Sequence, residues 1–378
     1  MDEADKFLQE LVQIDTSTAT TNESAVARVI QKKLAAAGID SKLIPYAEGR
    51  DNLVAEFGDG QPIFVFTGHQ DVVNTGDLSK WTYPPFAAHI ENGRLYGRGA
   101  SDMKSGLAAE VLAFIALKQS GFAHHVRLLL TIGEEYGAMG AQQLTDAGYA
   151  DDIAAMLVGE PTAGKIEFGH AGSYNYKVKS YGKSAHSSLP ALGTNAIVKL
   201  TDFILAERTL FDDVPVDPVI GPLVHSVTVL KAGDQVNTIP DYAELAGNIR
   251  PTPSFMNEKV TARLQEAVAK IDAAGAGNLK FELTHTFYPV LTPTDSKLVT
   301  RANEAIESVS GKKLALTISH GATDASDFTK SKNKFETIIY GPGDEDKNLS
   351  HQINEYVSLD RYHTVIKEYE AIVRHYFD

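Results

Sequence analysis

The chain contains no cysteine. Disulfides, thiolate zinc sites and cysteine nucleophiles are therefore excluded, and a reducing compartment fits. No apolar run approaches the roughly 18 residues that span a bilayer, so no transmembrane helix is expected. The opening segment, Asp2-Glu3-Ala4-Asp5, is acidic and polar. It lacks the basic start and apolar stretch of a secretory signal, and the expected location is cytoplasmic. A basic patch is also missing. The formal net charge is −14, which repels nucleic acid and anionic membranes. Neither is expected as a partner. There is no internal repeat or low-complexity tract, and no Gly-x-Ser-x-Gly elbow of a serine hydrolase.

What is present is an ordinary globular composition. The 378 residues are 43% hydrophobic and 22% charged, enough for two domains with a large core. Residues 3–14 and 22–34 read as amphipathic helices, the second closed by Gly38. Strands are expected at 42–45, 52–57, 63–67, 126–132 and 154–158, with a helix over 104–119 between them. Alternation of this kind predicts an α/β domain, a mostly parallel sheet with helices on both faces. Near Gly172 the texture changes. Tyr174, Tyr176 and Val178 alternate with polar residues, as in a half-exposed strand. The order that follows is β-α-β-β-α-β, the ferredoxin-like pattern. The expectation is a catalytic domain of residues 1–172 and 288–378, interrupted by an inserted α+β lid and dimerisation domain of residues 173–287.

Three apolar runs end alike. The first leads into Gly68-His69, the second into Gly133-Glu134-Glu135, the third into Gly159-Glu160. In an open α/β sheet, ligands bind beyond the carboxyl ends of the strands. These ends would deliver a histidine and three carboxylates to one rim. Asp102 precedes the helix over 104–119 and would lie near its positive end, and His351 follows in a polar loop. Imidazole and carboxylate without thiolate suit zinc, cobalt or manganese. Two divalent ions bring four positive charges, three carboxylates leave one, and one hydroxide neutralises it. The candidate metal ligands are thus His69, Asp102, Glu135, Glu160 and His351, around two ions ~3.5–4 Å apart. Zinc is the first expectation, with cobalt or manganese as alternatives.

Asp71, two residues beyond His69, is placed to accept the proton of the far imidazole nitrogen. Glu134 and Glu135 are neighbours at a strand end and should point in opposite directions. One then binds metal while the other serves as general base. Taken singly, each feature has an ordinary explanation. Asp102 alone would serve as a helix N-cap, and a Glu-Glu pair as a solvated face. Their joint placement after buried strands favours chemistry.

These segments resemble the M20 family of metallo-amidohydrolases and peptidases. The resemblance rests on Thr67-Gly68-His69-Gln70-Asp71, Gly97-Arg98-Gly99-Ala100-Ser101-Asp102-Met103-Lys104, Gly133-Glu134-Glu135, Val158-Gly159-Glu160-Pro161-Thr162 and Ser350-His351-Gln352-Ile353-Asn354-Glu355. They run in family order over nearly the whole chain. The resemblance implies that His69 and Glu160 hold one ion, Glu135 and His351 the other, and that Asp102 bridges. It also implies that Asp71 orients His69, that Glu134 is the general acid/base, and that a cis peptide follows Asp102.

Lys183-Ser184-Ala185-His186-Ser187-Ser188 resembles the family's lid histidine motif. By that likeness His186 donates to the oxyanion of the tetrahedral intermediate, often across a homodimer interface. Asn237 and Arg250 resemble lid residues that contact substrate, and an arginine there suits a carboxylate. Gly321-Ala322-Thr323-Asp324-Ala325-Ser326-Asp327 resembles the carboxylate-binding loop, with Thr323 as a substrate contact. Asp327 stands where arginine is common.

The implied reaction is hydrolysis of an N-acyl amino acid amide, a small-molecule substrate. Within the family the sequence leans toward succinyl-diaminopimelate desuccinylases, whose product serves lysine and cell-wall synthesis. Acetylornithine deacetylases come next and dipeptidases third. A non-catalytic binding protein on the same scaffold is the alternative of another class.

Overall fold

The computed structural model describes every residue except Met1, Ala19, His320, Glu345, Asp346 and Asn348. The chain divides into two compact units. The first comprises Met1–Gly169, Leu291–Ser319 and Thr323–Asp378. The second comprises His170–Val290, joined by Gly321 and Ala322.

The first unit is built on a nine-stranded sheet. Strands Ser41–Ala47, Arg50–Phe57, His124–Thr131, Asp59–His69, Ala155–Val158, Glu336–Ile339 and Ile166–His170 lie side by side in that order. The middle four are parallel. The flanks are antiparallel. Ser41–Ala47 and Arg50–Phe57 form a hairpin, so they cannot continue the parallel run. Parallel register levels the ends that matter, with His69 opposite Thr131 and Thr67 opposite Val158.

Apolar runs buried on both faces make the central strands. Phe64, Val65, Phe66, Leu128, Leu129 and Leu130 are all fully buried, as parallel strands require. Helix Lys104–Gln119 is buried on nearly every side. It packs against the Asp59–His69 strand, helix Glu3–Val12 and the C-terminal helix Leu359–Phe377. Each fully buried Leu or Phe there contributes about 1.5–3 kcal/mol. Lys104 is also buried, and its Nζ donates to the carbonyls of Leu11 and Ile14 at 3.0 and 2.7 Å. A cation thus closes the C-terminal end of the first helix.

The second unit is a four-stranded antiparallel sheet. Its order is Val224–Ala232, Tyr242–Arg250, Ser173–Tyr181, Asn278–Phe287. Helices Ala196–Glu207 and Asn257–Ala273 pack on it. Every second residue of Ser173–Tyr181 is buried, and Tyr174, Tyr176 and Val178 form a core with Phe203, Leu245, Ile249 and Leu264. Chain order and strand order together are those of a ferredoxin-like unit. Among the described residues no helix is long and apolar enough to cross a membrane.

Candidate metal centre

Five side chains from distant parts of the first unit meet beyond the parallel strand ends. His69 is the last residue of its strand and is 1% exposed. Its Nε2 lies 3.4 Å from Asp102 Oδ1 and 3.3 Å from Glu160 Oε1. His351 Nε2 lies 2.9 Å from Glu135 Oε1 and 3.5 Å from Asp102 Oδ2. The two oxygens of Asp102 therefore face two different imidazoles. The Asp102–Met103 peptide is cis.

Local structure sets these positions. Gly133 has φ 70°, the left-handed region that suits glycine. It turns the chain out of the His124–Thr131 strand into a 3-10 turn, Glu134–Tyr136. The two glutamates are thus not extended, and strand alternation does not separate them. Asp71 holds the main chain of both. Its Oδ1 accepts the Glu134 N–H at 3.1 Å and its Oδ2 the Glu135 N–H at 3.2 Å.

This corrects one expectation. The carboxylate of Asp71 is 3.7 Å from His69 Nδ1. It is the main-chain carbonyl of Asp71 that meets Nδ1, at 2.9 Å. The N–H groups at the start of a helical turn lack partners of their own, and they take the carboxylate.

The donor set fits divalent ions. A carbonyl only accepts, so His69 Nδ1 carries the proton and donates it. Nε2 then turns a lone pair toward two carboxylates, which is stable only with a proton or a cation among them. Ligand atoms of His69, Asp102 and Glu135 all lie within 4.8 Å of one another. Nitrogen and carboxylate oxygen without sulfur suit zinc, cobalt or manganese.

Crowding of carboxylates dominates the electrostatics. Burial, and then Asp102, raises Glu160 to about 8. Burial raises Glu135 despite its bond to His351. Burial also holds Glu134 well above the usual carboxylate range, with Glu135, Asp324 and Glu160 adding to it against His69. Burial opposes a charged His69, yet Glu160, Asp102 and Asp71 outweigh it and hold the imidazole well above its ordinary value. Asp102 also suffers burial, but His69 and His351 hold it down at about 2.

Thr323 belongs to the first unit and is buried, with its Oγ1 accepting the Ala325 N–H at 3.3 Å. Asp327 pairs with Lys330, so the acid standing in for arginine is held within its own helical turn. His186, Asn237 and Arg250 belong to the second unit. His186 pairs with Thr238 in a two-stranded ribbon, and its exposed ring accepts the Ser188 N–H at Nδ1, 3.2 Å away. The Asn237 carbonyl accepts the Ser187 N–H at 2.9 Å. Arg250 ends its strand half-buried, and burial lowers its pKa.

Sequence reasoning assigned no role to two further buried acids. Asp324 accepts a hydrogen bond from Thr131, and burial raises it to about 7. Glu110 lies in helix Lys104–Gln119, fully buried, with its carboxyl oxygens beside Gly68 and Gly159. Burial and then Glu160 hold it well above the ordinary range. A charge inside the apolar stretch Leu107-Ala108-Ala109-Glu110-Val111 was the available signal.

An α/β sheet that gathers imidazoles and carboxylates at its C-terminal rim defines a metal-binding hydrolase. The chain belongs to Peptidase family M20/M25/M40, which it matches over residues 65–375. It is 32% identical to a Staphylococcus epidermidis protein described as a probable succinyl-diaminopimelate desuccinylase, over 99% of this chain and 97% of that relative. Its fold is that of an M20 family metallo-carboxypeptidase from Sulfolobus solfataricus, with TM-score 0.82, 21% identity, and coverage of 100% and 99%. A Bacillus subtilis protein described as a dinuclear metal binding peptidase of the family matches with TM-score 0.70 at 17% identity, over 98% and 96%.

Proposed function

We propose that this hydrolase cleaves the amide bond of an N-acyl amino acid, with N-succinyl-diaminopimelate as its substrate. The observation that carries the reading is Asp102, with one oxygen toward His69 and the other toward His351. The relative named for desuccinylation supports the acyl group. Arg250, half-buried with no carboxylate paired to it among the described residues, supports an acidic substrate.

In this reading His69 and Glu160 hold one divalent ion, Glu135 and His351 a second, and Asp102 both. The ions, zinc first, would polarise the acyl oxygen and acidify the attacking water. Glu134 takes a proton from that water as its oxygen bonds to the acyl carbon. It returns the proton to the amine as the C–N bond breaks. Carboxylate and free amino acid leave as products. His186 donates to the oxyanion. Its Nδ1 accepts from Ser188, so the neutral ring carries its proton on Nε2, free to donate.

A homodimer joined through the second unit belongs to the same reading. Strand Val224–Ala232 is the edge of its sheet and exposes Val224, Val229 and Leu230. Helix Ala196–Glu207 exposes Val198 and Leu205. Bare apolar edges of this kind are normally covered. A cytoplasmic setting in lysine and cell-wall synthesis follows from the substrate.

The test is a substrate panel with added zinc, cobalt or manganese. It compares N-succinyl-diaminopimelate, N-acetylornithine and simple dipeptides. The reading expects the highest kcat/KM on the succinyl substrate. Activity confined to dipeptides overturns the substrate and leaves the metal centre standing.

A further inference from the structure

Arg98 and Glu355 are both buried, at 2% and 0% exposure, and neither has a role in the reaction above. They form a bond of 2.6 Å from Arg98 Nη1 to Glu355 Oε2. A lone buried pair is poor evidence of stability, since desolvation offsets attraction. This pair is not alone. Glu355 accepts three main-chain N–H groups, from Gly99 at 3.0 Å, Ser101 at 2.8 Å and Asp102 at 2.9 Å. Arg98 reaches the carbonyls of Gln352 at 3.3 Å, His351 at 3.4 Å and Asn74 at 3.4 Å. Its guanidinium also lies 5.3 Å from the centre of the Trp81 ring. One ion pair thus ties the loop of Asp102 to the loop of His351.

The second loop needs such a tie. His351 has φ 64° and Asn354 has φ 62°, both in the left-handed region and neither a glycine. Backbone of that kind persists only where its surroundings over-determine it. His351 is itself 51% exposed, so packing does not hold its ring. The bonds that fix its backbone come from Arg98, from the Asn354 side chain to the Thr82 N–H at 2.7 Å, and from the short pairing of Tyr356–Ser358 with Arg94–Tyr96.

We infer that Arg98 and Glu355 are positioning residues that set His351 against Asp102, and so set the affinity of the His351–Glu135 ion. The inference rests on the metal reading above. The other ion, at His69 and Glu160, takes its ligands from strand ends fixed by the sheet, and depends on the pair only through Asp102.

Zinc binding to the metal-free protein tests this by chelator competition, with no assay of turnover. His69→Ala and His351→Ala each leave one site to titrate. Glu355→Gln keeps the volume and loses the charge. Arg98→Lys keeps a charge and loses the planar fork that reaches three carbonyls. Each is expected to weaken zinc about 10–100-fold in the His69→Ala background, and by less than about threefold in the His351→Ala background. Near-UV circular dichroism shows which variants fold, and either alone decides the matter. Equal loss in both backgrounds, or no loss in either, overturns the role of the pair. A parent protein that binds no zinc overturns the metal reading instead.

Discussion

Asp71 Oδ1 accepts the main-chain N–H of Glu134 at 3.1 Å, within the same carboxylate that accepts Glu135. One buried side chain therefore places both the proposed base and a proposed ligand, while its carbonyl holds His69. The consequence is testable by Asp71→Ala. It strips acceptors from two N–H groups, which costs about 1–3 kcal/mol for each one left unsatisfied. Turnover is expected to fall about 10–100-fold with lowered zinc affinity. Steady-state kinetics and zinc titration check it. Unchanged values for both would show that the turn holds itself.

Glu134→Gln separates chemistry from binding. The amide keeps the shape and cannot take a proton. Two zinc ions per chain are expected to remain, while kcat falls about 10²–10⁴-fold. Metal content and kcat are measured on one preparation. A variant that keeps its turnover removes Glu134 from the reaction.

Much of this was readable in the chain because strand and turn signals are local. The apolar run Ile63 to Thr67 and the glycine after it mark a strand end, and His69 stands there. The same holds for Glu160 after Ala155–Val158. What escaped is non-local. Nothing near Asp71 reveals that two N–H groups more than sixty residues away take its carboxylate. Strand alternation does not apply to Glu134 and Glu135 because the strand ends at Thr131, three residues before Glu134, and Gly133 turns the chain into a 3-10 turn. The parallel sheet was legible in its centre, where helices separate the strands. One flank depends on the hairpin at Arg50, which reverses direction, and the other on the antiparallel pairing of Ile166–His170 with Glu336–Ile339. The helix Leu359–Phe377 and its partner strand Tyr356–Ser358 lie beyond the last motif, and the motif reading did not reach them.

Gly106 supplies a stability test that bears on Glu160. A Cβ there would lie 1.8 Å from the Gly159 carbonyl oxygen. The obstacle is backbone, so it does not swing aside. Gly106→Ala must push helix Lys104–Gln119 away from the strand end that carries Glu160. Overpacking of this kind costs about 1–3 kcal/mol or more. A lower melting temperature and weaker zinc binding are expected together, by scanning calorimetry and zinc titration. Lost stability with unchanged zinc affinity would mean that Glu160 does not follow the helix.

The pH dependence of the metal-free protein has a definite sign. Glu110 and Glu134 sit well above the carboxylate range, Glu160 is at about 8, and Asp324 and Glu355 are at about 7, all through burial first. From the ordinary carboxylate value up to these, the folded state binds more protons than the unfolded one. Stability therefore falls as pH rises through that window. His69, held above its ordinary value, acts the same way, since the stability it lends at low pH is lost on deprotonation. Buried His170, lowered to about 4, opposes the trend up to its ordinary imidazole value but is one group against several, and Lys104 opposes it only above its depressed value of about 7. Asp102, at about 2, opposes it only below the ordinary carboxylate value. The melting temperature in chelator is thus expected to fall from pH 5 to 8. Zinc must displace these protons, so the rise in melting temperature that zinc brings is expected to grow over the same interval. Glu110→Gln removes one raised carboxyl that binds no ion in the proposed scheme. It is expected to flatten the slope in chelator. Scanning calorimetry at four pH values, with and without zinc, reads all three effects, and a melting temperature that climbs toward pH 8 in chelator would contradict the crowding of protons at this rim.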